Sequence, residues 1–423
     1  MVGQLITRRI GPRVSRHIVR VHRPTLDLSF GLGGGFPPGL INFTRASPKW
    51  VFDGGGSLQE IGNDVWPQDY DPVTGAPLGL LIEEERENGI RNNTMTNASP
   101  GTPGTPPDNW NILASGVTVE LVDVGTINGI EYVSYRLSGT PTGGSEIHFE
   151  TTTGIDALTG DVRPISAYMA IVAGDLQNLN GINFNLKERT EAGAFIKSNH
   201  ASSFSASLAS SLQRFDATIA LSGGGTTAHV MPIIRFDWDG SGAIDITLRI
   251  GLPQEEKGAF ASSVIKTTNA AVTRAADMAT ISDINFLSPL ANTWLVKGRT
   301  AFGNGVQVLG QIDDGDENER IRIERNASNE IHFIVTDGGV EQCDLNLGTV
   351  ADDTDLSVAV AWAANDFAGS LDGAAVAKDA AGTVPAGLTT KRLGRDTIGN
   401  QWNRTIECDI HWPRRCPDSH LQR

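Results

Sequence analysis

The stretch Ala-Ile-Asp-Ile-Thr-Leu-Arg-Ile, residues 243–250, indicates the fold class of this chain. Aliphatic and polar residues alternate strictly from Ile244 to Ile250. Successive side chains of a β-strand point to opposite faces of the sheet, so this alternation predicts a strand with one buried and one solvated face. Residues 130–137 and 228–236 are rich in Val, Ile, Tyr and Phe and predict two more strands.

Turn-forming residues separate these strand-like stretches, for example at 139–144 and 222–227. The chain holds 48 Gly and 20 Pro, which is more than average usage and suits many turns and short strands. A second β region begins near residue 280, where alternating runs on both sides of the turn at 326–329 predict a hairpin. We therefore expect a mainly β protein built of tandem antiparallel β-sandwiches.

The first 23 residues differ sharply in charge from the rest. They contain no acidic residue and six arginines, namely Arg8, Arg9, Arg13, Arg16, Arg20 and Arg23. The whole chain has a formal net charge of −15, so the acidic excess lies in the body and argues against nucleic acid as a partner. A transit peptide is one interpretation of the basic arm, although Gly11-Pro12 interrupts its helical spacing. The other is an arm that becomes ordered on a partner protein.

Hydropathy and cysteine content limit the class of protein further. No apolar run reaches the ~18 residues that span a bilayer, so we expect no membrane insertion. The three cysteines, Cys343, Cys408 and Cys416, are an odd number and argue against a disulfide framework. One bridge between Cys408 and Cys416 and idle thiols remain the two alternatives.

One acidic stretch, Asp237 to Asp245, has the pattern of the first part of a Ca²⁺-binding loop. Its candidate ligands are Asp237, Asp239, Ser241 and Asp245. Leu248 stands where the last acidic ligand of such a loop belongs, so an acidic β-turn is the alternative. Residues 313–319 are also rich in carboxylates and predict either a solvated hairpin tip or a Ca²⁺ site. Apart from Ca²⁺, no cofactor is expected.

Tryptophan side chains are the candidates for a sugar platform, because sugar rings pack their apolar side on aromatic faces. Trp402 lies in a loop-like segment and Trp238 in the acidic turn, so both are candidate glycan-binding residues. Trp362 has aliphatic neighbours and is expected in the core. A structural role is the alternative for each of them.

Catalytic motifs are lacking, since the sequence contains no Gly-x-Ser-x-Gly, no His-Glu-x-x-His and no phosphate loop. We expect a protein that is not an enzyme. Two carboxylates at glycosidase spacing would suffice for a polysaccharide depolymerase, which stays an alternative.

A short echo relates two distant segments of the chain. Phe43-Thr-Arg-Ala-Ser47 is similar to Val272-Thr-Arg-Ala-Ala276, which Asp277 follows. This similarity has two interpretations: it arose by chance, or it marks a recurring joint between modules.

Several short motifs occur in a fixed order near the N-terminus: Asn42-Phe-Thr-Arg-Ala-Ser-Pro48, Phe52-Asp53, Gly56-Ser-Leu58, Asp69-Tyr-Asp-Pro-Val-Thr-Gly-Ala-Pro77, Gly79-Leu-Leu-Ile-Glu-Glu84 and Arg86. This succession resembles the N-terminal module of phage tail-fibre and head-spike proteins, including the spikes of gene-transfer-agent-like particles. The chain departs from that pattern at Glu87-Asn88, where the family commonly has Thr-Asn.

The rest of the chain resembles these proteins in outline. Residues 251–265 resemble the closing strand of their carbohydrate-binding modules. Residues 367–373 and 410–421 resemble parts of a concanavalin/laminin-G-like lectin sandwich.

The resemblance implies five parts, with jelly-roll and lectin-like sandwiches after an extended arm. They are a basic docking arm (1–23), an attachment module (24–95), a linker (96–109), a carbohydrate-binding-module-like sandwich (110–270) and a lectin-like sandwich (271–423).

The function that this resemblance implies is that of a virion fibre or spike subunit, assembled in the bacterial cytoplasm. The arm would dock on a capsid or tail protein, and the sandwiches would bind host surface polysaccharide. A homo-oligomer, with a trimer favoured, would raise the avidity of weak sugar sites. A purely structural decoration protein is the main alternative.

Overall fold

A computed structural model describes residues 23–32, 39–240, 242–303 and 305–423 of the chain. The described residues are almost entirely β, and the strand pairs within each sandwich run antiparallel. The predicted fold class of antiparallel β-sandwiches is confirmed.

The strands before residue 110 are short: β1 (Leu26–Leu28), β2 (Asn42–Thr44), β3 (Lys49–Phe52), β4 (Leu58–Ile61), β5 (Gln68–Tyr70), β6 (Pro77–Ile82) and β7 (Arg86–Asn88). The next strands are β8 (Asn111–Leu113), β9 (Val117–Ile127), β10 (Ile130–Gly139), β11 (Ser145–His148), β12 (Ile155–Asp156), β13 (Val162–Gly174), β14 (Leu179–Arg189), β15 (Phe195–His200), β16 (Gln213–Ala220), β17 (His229–Trp238) and β18 (Ile244–Glu255). The last group is β19 (Val272–Arg274), β20 (Met278–Ile281), β21 (Ala291–Arg299), β22 (Gln307–Asp313), β23 (Arg320–Arg325), β24 (Glu330–Asp337), β25 (Val340–Thr349), β26 (Asp355–Ala363), β27 (Asp366–Leu371), β28 (Ala377–Asp379), β29 (Thr390–Leu393) and β30 (Arg404–Trp412).

Helical structure in the described residues is limited to single turns. These are 3-10 turns at Phe30–Leu32 and Ser205–Ser207 and the helix α1 (Asp418–Leu421). None of these helices is long and apolar enough to span a membrane.

Contacts divide the chain into two compact units. The central unit comprises residues 43–278 and 301–303, and the terminal unit comprises the described residues up to 42 together with 279–300 and 305–423. The five-part division expected from the sequence stays a prediction.

The central unit contains a sandwich of two sheets. The β18 sheet has the strand order β16-β13-β18-β10-β9, and the β17 sheet has the order β15-β14-β17-β11-β8 with β12 also paired to β17. The aliphatic side chains from Ile244 to Ile250 are buried in the core of this sandwich, as their alternation predicts. The predicted strands at 130–137 and 228–236 correspond to β10 and β17.

The terminal unit contributes two further sheets. One has the order β28-β27-β26-β21-β30, with β1 also paired to β30, and the other has the order β20-β29-β22-β23-β24-β25. The predicted hairpin is formed by β23 and β24, which pair from Arg320 with Thr336 to Arg325 with Ile331. Trp362 is buried, as expected, and Cys343, Cys408 and Cys416 are buried free thiols.

A buried network of charges connects distant segments of the central unit. Asp277 lies 3.1 Å from Arg45 Nη1 and 2.6 Å from Lys49 Nζ. Lys49 Nζ also lies 2.8 Å from Glu83, which lies 3.2 Å from Arg274 Nη1. All five side chains are between 0 and 4 % exposed.

Backbone groups complete this network. The Glu83 N–H donates to Asp277 Oδ2, and the Asp277 N–H donates to the Glu83 carbonyl, both at 2.9 Å. Burial would raise the pKa of Glu83, but Arg274 and Lys49 outweigh this effect and hold the pKa well below its usual range. The two echoed sequence segments therefore place Arg45 and Arg274 in one network, which supports the interpretation of a joint.

We predict that Asp277→Asn lowers the free energy of unfolding of the central unit by about 3–5 kcal/mol, because it leaves the buried cations Arg45 and Lys49 without their shared carboxylate. Urea unfolding followed by circular dichroism measures this change.

The matched control is Asp245→Asn. Asp245 pairs with Arg136 on the surface, with side chains 56 % and 43 % exposed, so solvent screens the pair and the expected loss is far smaller than for Asp277→Asn. Equal losses in the two variants would contradict a structural role for the buried network.

Candidate functional site

The β17 sheet has one apolar and one polar face, and β14 shows why. Ile182, Phe184 and Leu186 are fully buried in the core of the sandwich. Asn183 and Asn185 alternate with them and therefore belong to the opposite face of the strand. The same period of two continues to Lys187 and Arg189.

Strand register brings further polar residues to this side of the sheet. Arg235 of β17 lies between Glu146 of β11 and Asn183 of β14, and Asn185 lies beside His200 of β15. We call this surface the polar face and define it by Glu146, His148, Asn183, Asn185, Lys187, Arg189, Phe195, His200, Arg235 and Asp237.

Glu146 is the most connected acid of the polar face. Its Oε2 lies 2.8 Å from His148 Nε2 and accepts a hydrogen bond from Lys187 Nζ at 2.5 Å. Burial would raise the pKa of Glu146, but the contacts with His148 and Lys187 outweigh this effect and lower the pKa to about 2. Glu146 is therefore a permanently ionised hydrogen-bond acceptor at neutral pH.

Asp237 is held by two neighbours on the same face. Arg235 Nε donates to its Oδ1 at 2.7 Å, and Asn183 Nδ2 donates to its Oδ2 at 3.1 Å. Charges of opposite sign thus compensate each other over most of the polar face, which fixes the side chains in defined positions.

Two amide oxygens on this face lack a protein partner. The Oδ1 atoms of Asn183 and Asn185 are buried and accept no hydrogen bond from the described residues. The Nδ2 of Asn185 is engaged with His200 Nδ1 at 2.8 Å. Buried polar atoms are normally satisfied, so these two oxygens are exceptions among the buried groups of the sheet.

Arg189 differs from the other cations of the polar face. It forms no ion pair with the described residues, and its guanidinium lies 5.6 Å from the centre of the Phe195 ring. Phe195 is 57 % exposed. A cation without a carboxylate partner beside an exposed aromatic ring can bind an anionic group and an apolar surface of the same ligand.

No protein-family model and no curated protein matches this chain. Among solved structures, the chain is similar to the CBM40 of the Ruminococcus gnavus IT-sialidase bound to α2,3-sialyllactose, at 14 % identity and a TM-score of 0.28, over 32 % of this chain and 82 % of that one. It is also similar to the tripod (BppUct-A-L) from the baseplate of bacteriophage Tuc2009, at 10 % identity and a TM-score of 0.28, over 83 % and 100 % of the two chains.

A third similarity is to the mouse laminin α1 domains LG4-5, at 10 % identity and a TM-score of 0.26, over 66 % of this chain and 95 % of that one. Similarity at this level assigns neither a family nor a function to the chain.

The two tryptophans expected to hold sugar differ in exposure, and the prediction for Trp238 stays a prediction. Trp402 has 0 % exposure and lies inside the terminal unit, so the prediction of an exposed platform there is wrong. The backbone N–H of Trp402 donates to the Gly394 carbonyl at 2.8 Å, which holds this loop in place. Trp238 is half-buried and stacks on Phe236 at the edge of the core, with Nε1 donating to Ser145 Oγ.

Two of the predicted Ca²⁺ ligands, Asp237 and Asp245, are bound by different arginine side chains. Asp237 is held by Arg235 and Asn183 on the polar face. Asp245 accepts two hydrogen bonds from Arg136, at 2.8 and 2.7 Å. Asp239 is exposed, and Ser241 lies outside the described residues. Within the described ranges, no group of three His, Cys, Asp or Glu side chains is arranged to hold a metal ion.

The second acidic stretch, 313–319, is only partly a solvated tip. Asp314 and Asp316 are exposed. Asp313 is fully buried and accepts hydrogen bonds from Arg392 at 2.7 and 3.0 Å.

Of the basic arm, Arg23 is exposed, whereas Arg8, Arg9, Arg13, Arg16 and Arg20 lie outside the described residues. Their role in particle docking stays a prediction.

Aromatic residues in the sequence do not indicate the polar face, because only Phe195 among its members is aromatic apart from the two histidines. The signal was the alternation Ile182-Asn-Phe-Asn-Leu-Lys187, which places amides and a cation on one side of a strand. The residues of β11, β15 and β17 that lie beside β14 are determined by strand register. A local sequence pattern does not reveal this register.

We predict that Glu146→Gln lowers the free energy of unfolding at neutral pH, on the order of 1–3 kcal/mol, because it weakens the charge-assisted contacts with Lys187 and His148. The pKa of Glu146 is lowered from 4.5 to about 2. Its contribution is therefore fully present above pH 4.5 and lost as the pH falls towards 2.

Urea midpoints of the wild type and the variant, measured across this pH range, test the prediction. The difference between them should shrink as the pH falls. A difference that does not change with pH would show that ionisation of Glu146 is unimportant.

Proposed function

We propose that this chain is a subunit of a virion fibre or spike that binds glycans of the host surface through the polar face of its central unit. The observation that supports this proposal is the combination of ordered charged groups and the exposed Phe195 ring beside Arg189 on one sheet face. Sugars offer many hydroxyls and one apolar ring side, and these groups match such a surface.

The class of glycan follows from the charges of the polar face. Glu146 and Asp237 are compensated by Lys187 and Arg235, which leaves Arg189 to bind an anion. An Arg guanidinium binds a carboxylate through two parallel hydrogen bonds. The proposed ligand is therefore a bacterial polysaccharide that contains carboxylated sugars.

Binding, and not hydrolysis, is the proposed activity of this face. A glycosidase needs one carboxylic acid that stays protonated near neutral pH. Glu146, with its pKa lowered to about 2, suits the role of an ionised acceptor, and both oxygens of Asp237 already accept hydrogen bonds from Arg235 and Asn183.

The N-terminal arm is proposed to dock the subunit on the particle. Its six arginines in residues 1–23 would bind an acidic surface of a capsid or tail protein. The resemblance to phage fibre and spike proteins supports a homo-oligomer, with a trimer favoured. Several linked copies would raise the avidity of one weak sugar site per subunit.

We predict that the full chain binds particular carboxylated polysaccharides on an array of bacterial surface glycans. Arg189→Ala should weaken this binding about ten- to a hundredfold, since a charge-assisted hydrogen bond is lost. Arg136→Ala is the matched control, because Arg136 lies on the β18 sheet and pairs with Asp245. It should leave the affinity unchanged, as should EDTA.

The ligand offers a second control. The carboxyl-reduced form of the same polysaccharide should bind the wild type as weakly as the native form binds Arg189→Ala. Saturable binding that Arg189→Ala leaves intact would place the site elsewhere. No binding across the array by the folded oligomer would favour a structural decoration protein, and release of shortened polysaccharide would favour a depolymerase.

We predict that a chain lacking residues 1–23 binds the array with unchanged affinity but no longer assembles on particles. Particle incorporation, measured by co-sedimentation, and array binding separate the two roles of the chain. Loss of glycan binding in the truncated chain would contradict this division.

A further inference from the structure

Three ionisable side chains lie in the interior of the terminal unit. They are Lys391 of β29 and Asp409 and His411 of β30, and all three are 0 % exposed. Lys391 Nζ lies 2.9 Å from Asp409 Oδ2, and His411 Nε2 lies 3.1 Å from Asp409 Oδ1. Because β29 and β30 belong to different sheets, the Lys391–Asp409 pair connects the two sheets of this unit.

The surroundings of this pair are aromatic. Lys391 Nζ lies 3.8 Å from the centre of the Trp294 ring. His411 stacks on Trp294, with ring centres 5.2 Å apart, and contacts Phe286 at 5.0 Å. Gly310 allows this packing, since a Cβ at that position would lie 2.7 Å from the Trp294 ring.

Such surroundings stabilise a buried ion pair poorly. Within the described residues, the side-chain nitrogen of Lys391 and both carboxylate oxygens of Asp409 lack a hydrogen bond of favourable geometry. Two charges in a dry interior need such bonds to offset the loss of hydration. Burial lowers the pKa of the Lys391 ammonium. Burial would raise the pKa of Asp409, but Lys391 and His411 outweigh this effect and lower it, so a proton transfer from Lys391 to Asp409 is the uphill part of any reaction between them. The neutral amine is the nucleophilic form of lysine.

We propose that Lys391 and Asp409 condense to form an intramolecular amide, an isopeptide bond that links the two sheets of the terminal unit. This modification goes beyond the proposed glycan-binding function and does not depend on it. It is a single reaction of the chain with itself.

The reaction balances without any further reagent. A proton passes from the Lys391 ammonium to Asp409 Oδ2, which gives an amine and a carboxylic acid. Nζ then attacks Cγ and forms the N–C bond. The C–Oδ2 bond breaks, and the hydroxyl leaves as water after taking a second proton from the nitrogen. The products are one secondary amide and one water.

His411 is placed to assist this step. Burial lowers the pKa of His411 to about 4, so the ring is neutral at physiological pH. In the tautomer with a proton on Nε2, the ring presents this N–H 3.1 Å from Oδ1, close enough to stabilise the negative charge that develops there during attack. Oδ2, on the side of Lys391, is then the leaving oxygen.

The test is the intact mass of the full chain, measured after denaturation. We expect a mass lower than that of the sequence by one water, and a branched peptide after digestion that joins the segments around Lys391 and Asp409. A wild-type mass equal to that of the sequence would overturn the proposal. So would a mass loss that maps to any other pair of residues.

Variants distinguish the roles of the groups. Lys391→Met, which keeps an apolar chain of similar length, should restore the full mass, and a mass loss that persists would overturn the proposal.

His411→Phe keeps a ring against Trp294 but removes Nε2, so the cross-linked fraction should fall. An unchanged fraction would overturn the role assigned to His411.

The chain contains its own negative control. Lys49 and Asp277 are as buried as the proposed pair, and their atoms lie 2.6 Å apart. Their charges are further compensated by Arg45 and Glu83 and by hydrogen bonds from the backbone. No amide is expected there, so a cross-link at this pair would show that proximity and burial alone cause condensation and would overturn the argument from surroundings.

Discussion

The contact of Asp277 with Arg45 and Lys49 is the constraint on which the central unit depends. Asp277 and Arg45 lie 232 positions apart in sequence, and both are buried. An unpaired buried ion costs several kcal/mol, so these charges are tolerated only when both segments are in place. The network therefore holds together the segments that precede and follow the sandwich of the central unit. The pairing of β7 with β19 next to it has the same effect on the backbone.

On this framework, the β17 sheet presents a polar surface whose charges mostly cancel. In the proposed function, this cancellation lets an acidic chain bind an anionic sugar: the acids of the polar face are bound by their own cations, and Arg189 forms no ion pair with the described residues. Ion pairs also hold the side chains in fixed positions, which reduces the entropy lost on binding. Side chains on the strands of a sheet are positioned more precisely than side chains on a loop, which favours selective binding.

Two buried Lys–Asp pairs within the described residues differ in their surroundings, and the proposed amide rests on this difference. Lys49 and Asp277 are embedded among further charges and backbone groups, which stabilise both ions. Lys391 and Asp409 lie against Trp294, whose ring offers one weak contact to the ammonium. A buried charge is least stable where no dipoles surround it. Such surroundings favour the neutral amine and carboxylic acid, which can react with each other where the ions cannot.

The sequence by itself determined the strands and their buried faces, since alternation from Ile244 to Ile250 is a local signal with the period of the pleat. Tertiary structure decided which polar residues meet. Asp245 pairs with Arg136 of a neighbouring strand, and Trp402 is buried in spite of its loop-like sequence. The physical reason is that strand order and register connect residues far apart in the chain, while composition and spacing report only on neighbours in sequence.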